Sequence, residues 1–186
     1  MPILLSDAVA ELPDWTLCPF KAKAGQMQVA SIHGKSGGWP MVQLLPLGRM
    51  GDITTPFAPS VYRGTGNEPR KGIVFSVPDE VLLALCKIEE WARKQHPDGV
   101  WHSVIKDGGT YPSSVKAKIN VSGPNACRIL DAEQRPTAWP ENWSRLSVIP
   151  IIEFRGVYSQ KTGNGLILDV THLMIQDAQA SEMEFL

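Results

Sequence analysis

The alternation of apolar and polar positions is most informative between Ser144 and Gln176. Two runs rich in Val, Ile, Leu, Phe and Tyr, Leu146 to Tyr158 and Leu166 to Ile175, flank Ser159-Gln160-Lys161-Thr162-Gly163-Asn164-Gly165. β-Branched and aromatic residues suit a pleated, half-buried surface, and Gly163, Asn164 and Gly165 tolerate the positive φ of a chain reversal, so the stretch predicts a long β-hairpin. Regular alternation along its first arm puts Ile152, Phe154 and Tyr158 on one face and Ile151, Glu153 and Arg155 on the other. Upstream, Ser114 to Ser122 alternates strictly: Val115, Ala117, Ile119 and Val121 point one way, Lys116, Lys118 and Asn120 the other.

Before these strands the signal is shorter-ranged. A segment to about Leu12 fits a turn or two of helix before Pro13, and Trp15 to Ile32, broken at Gly25, reads as two short strands or one bent strand. His33 to Gly38 is a Gly-rich reversal and Trp39 to Leu45 a return strand, predicting a first hairpin with a basic tip. Periodicity vanishes over residues 46–72, where Pro, Gly, Thr and Ser dominate, predicting a long loop. That loop carries Arg49, Arg63, Arg70 and Lys71 around Phe57 and Tyr62, a mixture that suits a flap over an anionic ligand or a merely solvated loop.

A helix is predicted over residues 77–96: Ser76 offers a capping hydroxyl, Pro78 is tolerated in the first turn, Asp79 and Glu80 face the positive helix end, and Pro97-Asp98-Gly99 stops it. Leu82, Leu85, Ile88 and Ala92 form its packing side. Trp101 to Ile105 and Cys127 to Leu130 read as further short strands, the second ending in a reversal over residues 131–136. This order favours a mainly β protein: a small antiparallel barrel like that of oligonucleotide-binding (OB) domains, with one inserted α-helix and long loops. Residues 1–176 are expected to form that single domain, and residues 177–186 an acidic, flexible tail.

With 186 residues and 43% hydrophobic content the chain can bury one sizeable core. Its formal net charge of −1 excludes a global basic field, so an anionic polymer would need a local patch. Cys18, Cys86 and Cys127 stand far apart with no C-x-x-C pair, which argues against a disulfide scaffold or structural zinc. The opening Met1-Pro2-Ile3-Leu4-Leu5 lacks a basic region before its short apolar run, and nothing approaches the ~20 apolar residues of a membrane span. A cytoplasmic protein without membrane contact is the expectation.

Catalytic motifs do not survive their structural context. Gly34-Lys35-Ser36-Gly37-Gly38 matches G-x-S-x-G, but Trp39-Pro40 follows where a nucleophile elbow needs a helix. There is no phosphate-binding loop signature, and a regular strand would put Asp169 and His172 on opposite faces. No enzyme activity, cofactor or metal is expected. What remains is binding chemistry. Lys21 and Lys23, and again Lys116 and Lys118, are i, i+2 pairs able to track phosphates, joined by Lys35, Arg63 and Lys161. Trp39, Tyr62, Tyr111 and Tyr158 are candidate platforms for unstacked bases, whereas Phe154 reads as core. The plainer reading of each lysine pair is the solvent side of an amphipathic strand.

SSVKAKINVSG, then VIPIIEFRGVYSQKTGNGLILDVTHLMI and an acidic, aromatic-ended tail, resembles the single-stranded DNA-binding proteins of tailed phages and related viruses, over about Tyr111 to Leu186. The resemblance implies an OB-fold that coats unwound single-stranded DNA during replication or recombination, in the host cytoplasm if viral. It also implies a tail, here Asp177, Glu182, Glu184 and Phe185, that contacts replication enzymes and competes with DNA. A homodimer is one compatible state. The competing reading is a protein-binding β-barrel, such as a viral inhibitor or virion-associated protein, that binds no nucleic acid.

Overall fold

The computed structural model describes residues 1–23, 25–62 and 70–176, with residues 61, 62 and 70 described by backbone alone. In chain order the elements are β1 (Ile3–Leu4), α1 (Leu5–Glu11), β2 (Thr16–Leu17), β3 (Lys21–Ala22), β4 (Gln28–His33), β5 (Met41–Gln43), β6 (Thr54–Thr55), β7 (Ser60–Tyr62) and β8 (Arg70–Ser76). There follow α2 (Asp79–Gln95), β9 (Ile105–Lys106), β10 (Ser114–Ile119), β11 (Arg128–Leu130), β12 (Leu146–Gln160) and β13 (Gly163–Ile175). The expected mainly β architecture is what the chain adopts.

β12 and β13 are the predicted hairpin, and both strands run closer to the turn than expected, leaving Lys161 and Thr162 between them. Gly163, at φ +141°, permits this: a Cβ there would lie 2.5 Å from the His102 ring and 2.6 Å from the Val100 carbonyl oxygen. Two register shifts interrupt the ladder, one leaving Arg155 unpaired on β12 and the other Thr171 on β13. Each reverses the alternation beyond it. Phe154 and Val157 are therefore both fully buried, and Tyr158 turns out of the core instead of sharing a face with Phe154.

The pairings close on themselves: β12 to β6, β6 to β8, β8 to β10, β10 to β13, and β13 back to β12. A closed circuit with an odd number of members cannot alternate direction throughout. One seam must be parallel, and it is β10–β13, with Lys118 opposite Asp169. β11–β13 and β1–β5 are parallel as well, so the sheet is mixed rather than antiparallel throughout.

The long edge of β12 takes three short strands end to end: β6 at Leu146–Ser147, β5 at Ile151–Glu153 and β4 at Gly156–Ser159. The expected β4–β5 hairpin is thereby corrected, because each of those strands pairs with β12. Residues 46–72 also differ from the loop expected there. They hold a 3-10 turn at Leu47–Arg49, then β6, β7 and the start of β8, while residues 63–69 lie outside the described residues. Ile53 and Thr55 are fully buried, and the Thr55 hydroxyl donates to the Trp143 carbonyl at 2.6 Å.

The helix expected over residues 77–96 is α2, and α1 makes a second. Ser76 is not its cap: it ends β8 opposite Ser114, and Pro78 takes the N-cap with no side-chain bond. Val81, Leu82, Leu85, Ile88 and Ala92 bury one side of α2, a contribution of about 1.5–3 kcal/mol for each large side chain. Trp15 seats the helix on the barrel, its ring 5.8 Å from Trp91 and 5.7 Å from Phe154. Glu89, buried within that side, accepts from the Ser103 hydroxyl at 2.5 Å and the Val104 amide at 3.1 Å, fixing the entry to β9.

Candidate nucleic-acid interface

Residues opposite each other in a ladder point to the same side of a sheet, so the register defines what the outer face of the β12–β13 hairpin carries. Nearest the turn, Lys21, Val29, Tyr158 and Gly165 stand in one row across β3, β4, β12 and β13. Tyr158 is half-buried, its ring occupying the space a side chain at position 165 would need: a Cβ there would fall 2.7 Å from the phenol oxygen. Burial pushes the Tyr158 hydroxyl above its ordinary pKa. The exposed platform expected at Tyr158 is thus a ring resting on its own sheet with one side covered.

The next row is charged. Lys118, Asp169, Glu153 and Met41 are consecutive partners across β10, β13, β12 and β5. The unpaired Arg155 leans over them, its Nε 2.9 Å from Asp169 and 3.1 Å from Glu153, and its guanidinium carbon lies 4.5 Å from the centre of the Trp39 ring. Trp39 packs on Arg155 and remains 45% exposed. Arg155 is a clamped platform rather than a free cation, because two carboxylates already engage it.

Farther along, Arg128, His172 and Ile151 are partners across β11, β13 and β12. Burial, then the neighbouring Arg128, hold His172 below its ordinary pKa, with Glu153 acting the other way. The bulge at Thr171 places Asp169 and His172 on the same outer face, contrary to the alternation expected of a regular strand. No catalytic pair follows from this, since Asp169 pairs with Arg155 and His172 Nδ1 lies 3.0 Å from the Thr171 hydroxyl. From Tyr158 to Ile151, at about 3.3 Å per residue, the face runs roughly 20 Å.

The cations named from the sequence flank this face from both sides and do not form one cluster. Lys116 and Lys118 lie on the β10 side; Lys21, with the exposed Lys23 after it, lies on the β3 side; Lys161 occupies the hairpin turn. Lys35 is exposed in the reversal between β4 and β5, ahead of Trp39 in the chain. Tyr111 is 79% exposed in the β9–β10 turn. Tyr62 stands opposite Arg70 in the β7–β8 ladder. Arg63 and the tail residues Asp177, Glu182, Glu184 and Phe185 lie outside the described residues. Arg155, Arg128 and His172 are not among the binding residues expected from the sequence. A charge interrupting an apolar run was the signal available for Arg155, while Arg128 and His172 meet only through a parallel pairing.

Among the described residues no group of three or more His, Cys, Asp or Glu is placed to hold a metal, and no helix is long and apolar enough to cross a membrane. No family model and no curated protein matches the sequence. Among solved structures, the chain is similar to gp2.5, a single-stranded DNA-binding protein encoded by bacteriophage T7. The TM-score is 0.51 at 12% sequence identity, over 67% of this chain and 83% of that one. At that identity the likeness is one of fold.

Proposed function

We propose that this chain binds single-stranded DNA along the outer face of the β12–β13 hairpin, by base stacking and phosphate contacts and without catalysing a reaction. The observation that carries the reading is the alignment on one side of the sheet of an exposed Trp39 ring on Arg155 with Lys118, Arg128 and Lys21 around it. The fold shared with gp2.5 supports it. Trp39 offers the stacking surface, a contact worth about 1–3 kcal/mol per base in such sites. Lys21, Lys118, Arg128 and Lys161 neutralise phosphates, and the Arg155 clamp with Glu153 and Asp169 holds the Trp39 platform. In the cell such binding would serve DNA replication or recombination. The acidic residues 177–186 would compete for the same face and engage replication enzymes.

Fluorescence anisotropy of a labelled oligonucleotide at two salt concentrations tests this. If four cations each neutralise a phosphate, affinity falls about 50-fold between roughly 50 and 200 mM salt, since log K for single strands changes by about −0.7 per contact per log unit of salt. Absence of binding at the lower salt sinks the proposal.

The alternative is a barrel that binds protein, and the apolar surface it would use is the partly buried Met41, Leu47, Met50 and Leu130, which cover the buried Ile149, Ile151 and Met174 beside the charged row. A protein partner there would leave the chain unretained on single-stranded DNA cellulose.

A further inference from the structure

Beyond β11 the chain doubles back tightly. Leu130 bridges to Pro136 and the Thr137 amide donates to the Ile129 carbonyl, so residues 131–135 close a small hairpin. Asp131 organises it: its Oδ1 accepts from the amides of Glu133 and Arg135, its carbonyl accepts from the Gln134 amide, and its Oδ2 pairs with Arg135 Nε at 3.0 Å. The Arg135 amide, first among these, holds the Asp131 carboxyl below its ordinary pKa.

This lock keeps Gln134 at φ +64°, the left-handed residue that follows the tight turn of a three-residue hairpin loop. Glycine is the cheap occupant of such a position, and an unbranched side chain there is strained. Gln134 lines a shallow, open depression with Arg128, Leu130, Pro136, Thr137 and His172. Arg128 is exposed and pairs with no carboxylate among the described residues, while Arg135 engages Asp131 and Glu133 outside. The depression therefore offers a cation, a flat imidazole, a proline face and an amide.

We propose that this depression is a nucleotide subsite at the β11 end of the hairpin face: Arg128 takes a phosphate, the base lies against His172 and Pro136, and the Gln134 side-chain amide hydrogen-bonds the base edge. The assignment rests on the single-stranded DNA reading above and sharpens it. An amide carries both donor and acceptor, so the subsite discriminates among bases, unlike the stacking surface of Trp39.

Two substitutions separate these roles, each measured by anisotropy against oligothymidylate and oligoadenylate of about eight nucleotides. Arg128→Ala weakens both about 5–10-fold and makes the log-log salt slope shallower by about 0.7, one phosphate contact. Gln134→Gly, which relieves the strained φ, melts no lower than the native protein and shrinks the affinity difference between the two oligonucleotides. If the native protein binds but both variants bind within about twofold of it with an unchanged difference, the subsite and the Arg128 phosphate contact are overturned, and the wider reading stands on Trp39, Lys21, Lys118 and Lys161. An effect of Arg128→Ala alone overturns the base assignment. A native protein that binds neither oligonucleotide overturns both readings together.

Discussion

The Asn164 side-chain amide donates to the Asp98 carbonyl oxygen at 2.5 Å, joining the hairpin turn to the exit of α2 across 66 residues of sequence. Asn164 is 3% exposed, its amide donates to the Val100 carbonyl, and its carbonyl accepts from the His102 amide. Asn164→Ala keeps the backbone bonds but leaves the Asp98 carbonyl without this partner. Urea unfolding should register a loss of about 1–3 kcal/mol. A variant as stable as the native protein would mean that water replaces the amide at no cost.

Trp39→Ala removes the exposed ring and the cover over Arg155. Oligonucleotide affinity should fall about 5–150-fold, the equivalent of one stacked base, with the thermal midpoint nearly unchanged because the residue is half exposed. Trp39→Phe should retain most of the affinity. Equal losses in both variants would assign the ring a structural role.

His172 should titrate below about 6.5 in a proton NMR series, since burial and Arg128 on β11 both disfavour the imidazolium, only partly offset by Glu153 on β12. Between its folded value and about 6.5 the unfolded chain binds more protons than the folded one. Stability from this residue is therefore complete above about 6.5 and is lost as the pH falls through the folded value. Arg128→Ala should move the midpoint upward. A native midpoint at or above 6.5 contradicts the packing described.

Cys127 is 4% exposed, and burial pushes its thiol up to about 12, whereas Cys86 is exposed on α2 and Cys18 is partly so. A thiol reagent at about pH 8 should label the folded protein at Cys18 and Cys86 and reach Cys127 only after unfolding. Rapid labelling at all three would show that β11 detaches from β13 in solution.

Where one residue type repeated on one period, the chain announced its structure. Val115, Ala117 and Ile119 are buried as their alternation required, and the two apolar runs became β12 and β13. The bulges at Arg155 and Thr171 do not show in the alternation, because a charge at position 155 and a threonine at 171 fit the outer face of a regular strand as well as a bulge. They decide which way Tyr158 and His172 point, and so half of the outer face was misread. Strands of two residues, such as Thr54–Thr55, are too short to show a period and are recruited by the edge of β12. Gln134 gave no warning of its backbone conformation, which Asp131 imposes through hydrogen bonds.

The parallel seam also has a temporal side. During synthesis Lys118 leaves the ribosome long before its neighbour Asp169, so β10 waits with a bare edge until β13 emerges. A nascent chain halted in the hairpin turn would expose β10, β11 and one side of β12 at once, three open templates for another chain. Completion of β13 is thus the event that covers those three edges together and closes the circuit of strands.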